Sequence, residues 1–140
     1  MKKIENYING SISKSTSKKV GPVFDPSIGE IQSEVSLSNK SDFEKTLNSS
    51  LDSFYQWSEV TPLNRSRILS NYKNLLENHK EELATLVSKE HGKTIEDAKG
   101  SVTRGIEVVE FACGIPHLLK GEYSQNVGRN IDSWSITGSH

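Results

Sequence analysis

Apolar positions in the first 38 residues fall in short extended segments, alternating with polar ones from Ile31 to Leu37, and beyond them they recur every third or fourth residue. Tyr7-Ile8 followed by Asn9-Gly10 predicts a short strand entering a turn, because Asn-Gly readily supplies positive φ. Ser11 to Lys19 is rich in Ser, Thr and Lys and reads as an exposed loop or a weak edge strand. Lys19 to Phe24 predicts a second extended segment, stopped by the turn residues Asp25-Pro26-Ser27-Ile28-Gly29. In Ile31 to Leu37, Ile31, Ser33, Val35 and Leu37 share one face, and Gln32, Glu34 and Ser36 the other. That pattern predicts a half-buried antiparallel strand. These segments make a small β-unit, not a complete sheet.

The helical period then takes over. Ser41 and Glu44 stand in capping-box spacing, Phe43, Leu47, Leu51 and Phe54 repeat on one face, and Trp57 closes that helix. Thr61-Pro62 predicts the next start, with Thr61 as N-cap and Pro62 at the first helical position. Leu69, Tyr72, Leu75 and Leu76 form its stripe. After His79 the pattern re-phases through Leu83, Leu86 and Val87 and stops at Gly92. Thr94 caps a last segment from Ile95 to about Leu119, with Glu96 and Asp97 in its first turn. Its apolar face is Ala98, Val102, Ile106, Val109, Cys113 and Ile115, interrupted by Gly100, Gly105 and Gly114. Glycines inside a helix suggest close approach by another backbone or a ligand, and Pro116 should kink or end the segment. A polar loop follows, then a strand from Ile131 to Ile136.

Charge changes this picture little. Seventeen Lys and Arg against eighteen Asp and Glu leave a net charge of -1, which argues against a nucleic-acid or anionic-membrane partner. No apolar run approaches the roughly 20 residues of a membrane span, and Ile4 to Ser17 is too polar for a signal peptide core. A cytoplasmic, soluble protein is expected. Hydrophobic residues are 33% of the 140, which is thin for a self-sufficient core. The lone cysteine excludes an internal disulfide and a multi-cysteine zinc site, and no metal site is expected.

Little of this carries chemistry. Cys113 sits on an apolar helix face with no cationic neighbour in sequence, so it reads as a small core residue. His79, His91, His117 and His140 lack metal-ligand spacing, and His91 suits a helix C-terminus. Glu81-Glu82 and Glu96-Asp97 sit at helix starts, where the dipole explains them. There is no GxGxxG, P-loop or GxSxG motif. Arg104, Glu107 and Glu110 follow at i, i+3 and i+6 and allow two readings: a solvated salt-bridge ladder, or Arg104 as a clamp for a carboxylate.

Several segments nevertheless occur in a familiar order. Tyr7-Ile8-Asn9-Gly10, Asp25-Pro26 with Gly29-Glu30, Phe54-x-x-Trp57, Arg65-x-Arg67-Ile68-Leu69, Lys80-Glu81-Glu82-Leu83-Ala84 and Glu90-His91-Gly92-Lys93-Thr94 resemble the start of an aldehyde dehydrogenase. The run from Arg104 to Glu122 is narrower and resembles the CoA-acylating methylmalonate-semialdehyde dehydrogenase branch. The resemblance implies an α/β protein, of which this chain is the N-terminal part: a β-hairpin plus four to five helices. Residues 1–130 would be the N-terminal part of the NAD-binding domain, and residues 131–140 the start of an oligomerisation strand.

The implied activity is NAD-dependent oxidation of methylmalonate or malonate semialdehyde in valine catabolism. A cysteine thiohemiacetal gives up hydride to NAD, the thioester loses carbon dioxide, and CoA takes the acyl group. The nucleophilic cysteine and the nucleotide-binding residues would lie past position 140, so the isolated chain is expected to be inactive. By the same resemblance Arg104 holds the substrate carboxylate, and Gly105 allows close approach near the substrate tunnel. A dimer or tetramer is implied. The Ser-rich stretch after Asn9-Gly10 and the ending Thr137-Gly138-Ser139-His140 depart from the family pattern. Two alternatives are a non-enzymatic helical module docking a partner through Ile95 to Leu119, and a non-acylating semialdehyde dehydrogenase.

Overall fold

The computed structural model describes residues 2–138. Strands β1 (Lys2–Ile4), β2 (Asn6–Ile8), β3 (Ser11–Ser13), β4 (Val20–Phe24) and β5 (Ile31–Ser36) come first. Helices α1 (Lys40–Ser58), α2 (Pro62–Asn78), α3 (Lys80–His91), α4 (Ile95–Ala112) and α5 (Ile115–Leu118) follow, and strands β6 (Glu122–Gly128) and β7 (Ile131–Ser135) come last. The α/β class is therefore observed. The described residues form two compact units that alternate along the chain. One holds β1 to β5, α1, nearly all of α3 and the start of α4; the other holds α2, the rest of α4, α5 and both late strands.

In the first unit, Asn9 and Gly10 adopt φ of 52° and 74°, as the Asn-Gly pair predicts. They join β2 to β3 in an antiparallel hairpin, so part of the Ser-rich stretch is a paired strand. The Asp25–Gly29 turn closes through Gly29 N–H donating to the Asp25 carbonyl at 2.8 Å, with Gly29 at φ 75°. β5 is central, between β1 and β4. It runs antiparallel to β4 as expected, but parallel to β1. That second pairing has no local signal, because Lys2 meets Ser33 across a long connection. Flanked on both sides, β5 buries Ser33 and Ser36 at its middle and end, while Ile31 and Leu37 stay exposed. The apolar residues of the alternating pattern are thus not the most buried positions.

Helix α1 begins two residues before the expected capping box. Asn39 is its N-cap and Asp42 its N3 residue, and each side chain accepts from the other's backbone N–H. Ser41 and Glu44 share that spacing, but Asn39 is the residue in extended conformation. Thr61 caps α2 with Pro62 in its first turn, as predicted. Gly92, at φ 79°, follows the end of α3. Its N–H donates to the Ser88 carbonyl, and the Ser88 hydroxyl donates to the Lys93 carbonyl. Ala98 in the first unit and Ile106 in the second are buried on the predicted face of α4.

In the second unit the Ile95–Leu119 segment breaks close to Pro116, where a kink or an end was expected: α4 stops at Ala112, and Gly114 opens a separate short helix with Pro116 in its first turn. One expectation needs correction: the segment expected as a polar loop is β6, paired antiparallel with β7. Its polar residues sit in the pairing because both strands of the hairpin are exposed, so no apolar face is demanded of it. Asp132 holds the irregular register, accepting from Asn126 N–H at 2.9 Å and from the Tyr123 hydroxyl at 2.8 Å. The Asn126 N–H and the Tyr123 hydroxyl keep the Asp132 carboxyl below the ordinary range, and Tyr123 is correspondingly raised by that carboxylate.

Candidate functional site

Helix α4 is amphipathic, and its polar side carries the candidate residue. Glu96 and Asp97 suit its N-terminal turn, and Thr94 Oγ1 accepts from Asp97 N–H at 3.2 Å. In the first unit, Lys99 reaches Glu81 of α3 at 2.9 Å and Glu96 at 3.3 Å. In the second unit, Lys73 of α2 reaches Glu110 at 2.7 Å and Glu77 at 3.6 Å. The Glu110 and Glu77 carboxylates hold the Lys73 ammonium above its ordinary pKa despite some burial. The Ser66 hydroxyl adds a 2.6 Å hydrogen bond to the Cys113 carbonyl, tying α2 to the chain just beyond α4. The Lys99–Glu81, Lys73–Glu110 and Ser66–Cys113 contacts join residues far apart in sequence, which spacing along one helix does not reveal.

Arg104 lies on the exposed side of α4. Its Nη2 donates to Ser101 Oγ at 3.1 Å, and no carboxylate among the described residues lies within ion-pair distance. The salt-bridge ladder therefore does not form. Six residues along a helix turn the side chain about 120° away, so Glu110 faces α2 and pairs with Lys73 there. An exposed guanidinium without a carboxylate is free to bind a small anion bidentately. Gly105 next to it has open space where a Cβ would stand, so its expected close approach is not made by any described part of this chain.

Cys113 is half-buried, and its thiol donates to the Val109 carbonyl at 3.3 Å. His91 lies in the last turn of α3, His79 caps α2 and His117 is exposed on α5. His140 lies outside the described residues. Among the described residues no group of three His, Cys, Asp or Glu gathers into a metal-binding arrangement. No described helix is long and apolar enough to cross a membrane. No GxGxxG or P-loop phosphate cradle occurs in the sequence.

Missing from the sequence reading was a carboxylate cluster in the first unit. Glu5 accepts from Ser36 Oγ at 2.6 Å and from Ser15 N–H at 3.2 Å. Asp42 accepts from Ser15 Oγ at 2.5 Å and from Thr16 N–H at 3.2 Å. Ser15 thus bridges Glu5, between β1 and β2, and Asp42 of α1, and pins the loop after β3. The hydroxyl bond from Ser36 chiefly lowers the Glu5 carboxyl, and that from Ser15 chiefly lowers Asp42. Only the acid at a predicted helix start could have hinted at this arrangement.

The aldehyde dehydrogenase family pattern matches residues 12–136, and the chain belongs to that family. Within it, the similarity is to the semialdehyde enzymes. A malonate-semialdehyde dehydrogenase of Pseudomonas aeruginosa is 42% identical over 94% of this chain and 26% of its own length. The mitochondrial Dictyostelium discoideum protein that bears the name methylmalonate-semialdehyde/malonate-semialdehyde dehydrogenase, acylating, is 39% identical over 92% of this chain and 24% of its length. The crystal structure of methylmalonate-semialdehyde dehydrogenase from Oceanimonas doudoroffii superposes with a TM-score of 0.90 and 42% identity, covering 97% of this chain and 28% of the other. The chain thus spans about a quarter of the length of the relatives it matches.

Proposed function

We propose that this chain is the N-terminal part of an NAD-dependent, CoA-acylating methylmalonate- or malonate-semialdehyde dehydrogenase, and that Arg104 binds the substrate carboxylate. The observation that carries the role of Arg104 is its exposed guanidinium, which one serine hydroxyl holds and no described carboxylate neutralises. The substrate class rests on the 42% identity to the Pseudomonas enzyme over 94% of the chain. Acylation to CoA rests on the name borne by the Dictyostelium relative. Residues 1–130 then belong to the NAD-binding domain, and the segment from residue 131 begins the strand through which a dimer or tetramer forms, in the cytoplasm.

In this reading the residues here have no bond-making role. Arg104 presents its donor fork to the planar carboxylate at one end of the semialdehyde, which orients the aldehyde at the other end. Hydride acceptance belongs to NAD, held mainly by residues past position 140, and acyl acceptance to CoA. Arg104→Leu in the full-length protein should raise KM for malonate semialdehyde about 10- to 100-fold, the loss typical of a charge-assisted pair, and leave KM for NAD unchanged. Arg104→Lys should recover part of the loss, since it restores charge without the fork. Unchanged kinetics in Arg104→Leu would return Arg104 to the surface.

A further inference from the structure

Arg104 ends a long side chain on an exposed helix face, where it would sample many rotamers before meeting a ligand. Side chains on a helix lean toward its N-terminus, so Arg104 reaches back over the residue three positions earlier. That residue is Ser101, half-buried on α4, and its Oγ accepts from Arg104 Nη2 at 3.1 Å. One of five guanidinium N–H donors is occupied, and the others stay available to a carboxylate.

The backbone beneath the pair is itself fixed. In this unit α4 is tied to α2 by the Lys73–Glu110 ion pair at 2.7 Å, and the Cys113 carbonyl just beyond it takes the Ser66 hydroxyl at 2.6 Å. A hydroxyl on an anchored helix that holds one nitrogen of an unneutralised guanidinium reduces the freedom lost when an anion binds.

We infer that Ser101 is a positioning residue for carboxylate recognition, aiming the Arg104 guanidinium through the Oγ to Nη2 hydrogen bond. This rests on the proposed role of Arg104 and adds to it the device that sets the orientation. Glu107, one turn beyond Arg104, makes no ion pair with it, so the serine hydroxyl is the polar contact that directs the guanidinium among the described residues.

Steady-state kinetics of the full-length protein with malonate semialdehyde, and with propanal as a probe lacking the carboxylate, test this. Ser101→Ala should raise KM for malonate semialdehyde roughly fivefold, as expected for one lost hydrogen bond. Its kcat, its KM for NAD and its KM for propanal should not change. Ser101→Thr, which keeps a hydroxyl, should behave like the parent. Ser101→Ala combined with Arg104→Leu should be no worse than Arg104→Leu alone. An unchanged KM in Ser101→Ala, an equal loss in Ser101→Thr, an equal loss with propanal or additive effects in the double variant would each overturn the inference. If Arg104→Leu itself leaves KM unchanged, the reading of Arg104 fails first; if only Ser101→Ala is silent, that reading stands and the positioning role falls.

Discussion

Three glycines hold left-handed backbone, Gly10, Gly29 and Gly92 at φ 74°, 75° and 79°, and their surroundings differ. A Cβ on Gly29 would meet open space, whereas one on Gly92 would come within 3.1 Å of the Pro26 ring. Strain at positive φ costs about 1–2 kcal/mol at either site, and Gly92 adds a clash with a stiff ring. Gly92→Ala should therefore lower the melting temperature of the full-length protein more than Gly29→Ala, by differential scanning calorimetry. Equal or reversed shifts would show that Pro26 yields freely. Gly92 was legible as a stop because it ends a periodic segment, and Gly29 as part of the Asp25 to Gly29 turn. The Pro26 contact was not, since it joins a β-turn to a helix end far along the chain.

At the scale of elements, sequence reading succeeds where the signal is local and fails where a partner decides. The Asn9-Gly10 turn, the Thr61-Pro62 start and the Thr94 cap need only neighbours within a few residues. The N-terminal strand β1 and the choice of Asn39 over Ser41 as cap depend on residues elsewhere. Asp42 shows why: it closes its own capping box and also takes the Ser15 hydroxyl, leaving it 6% exposed.

A pH dependence follows from that second role. Asp42 and Glu5 titrate below their ordinary values in the folded chain, so the unfolded chain binds more protons in acid. Their contribution is complete above the ordinary carboxylate range of about 4 and is lost as pH falls through the lowered folded values. Asp42→Asn should therefore melt below the parent at pH 7, with the gap closing as pH drops toward 3. A gap independent of pH would mean that Asp42 acts through packing and not through its charge.

Large apolar side chains lie exposed on the molecule. Among the described residues Ile8, Ala84, Ala98 and Ile106 are the buried hydrophobics, while Phe43 is 64% and Trp134 72% exposed. The stripe Phe43, Leu47, Leu51 and Phe54 that identified α1 as amphipathic lies open along its length. Periodicity told which face was apolar but not what the face packs against, and the same limit applied to the site. Arg104 was legible as a cation spaced with Glu107 and Glu110 along one helix, yet only the structure shows that Glu110 is drawn to Lys73 and that Ser101 holds the guanidinium.

The proposed function is tested by NADH formation by the full-length protein supplied with malonate semialdehyde, NAD and CoA, beside the same assay on the isolated 140-residue chain. The expected outcome is turnover by the full-length protein that yields an acyl-CoA and requires CoA to continue, and none by the isolated chain. Turnover by the isolated chain, release of a free acid without need of CoA, or no oxidation by the full-length protein would contradict it.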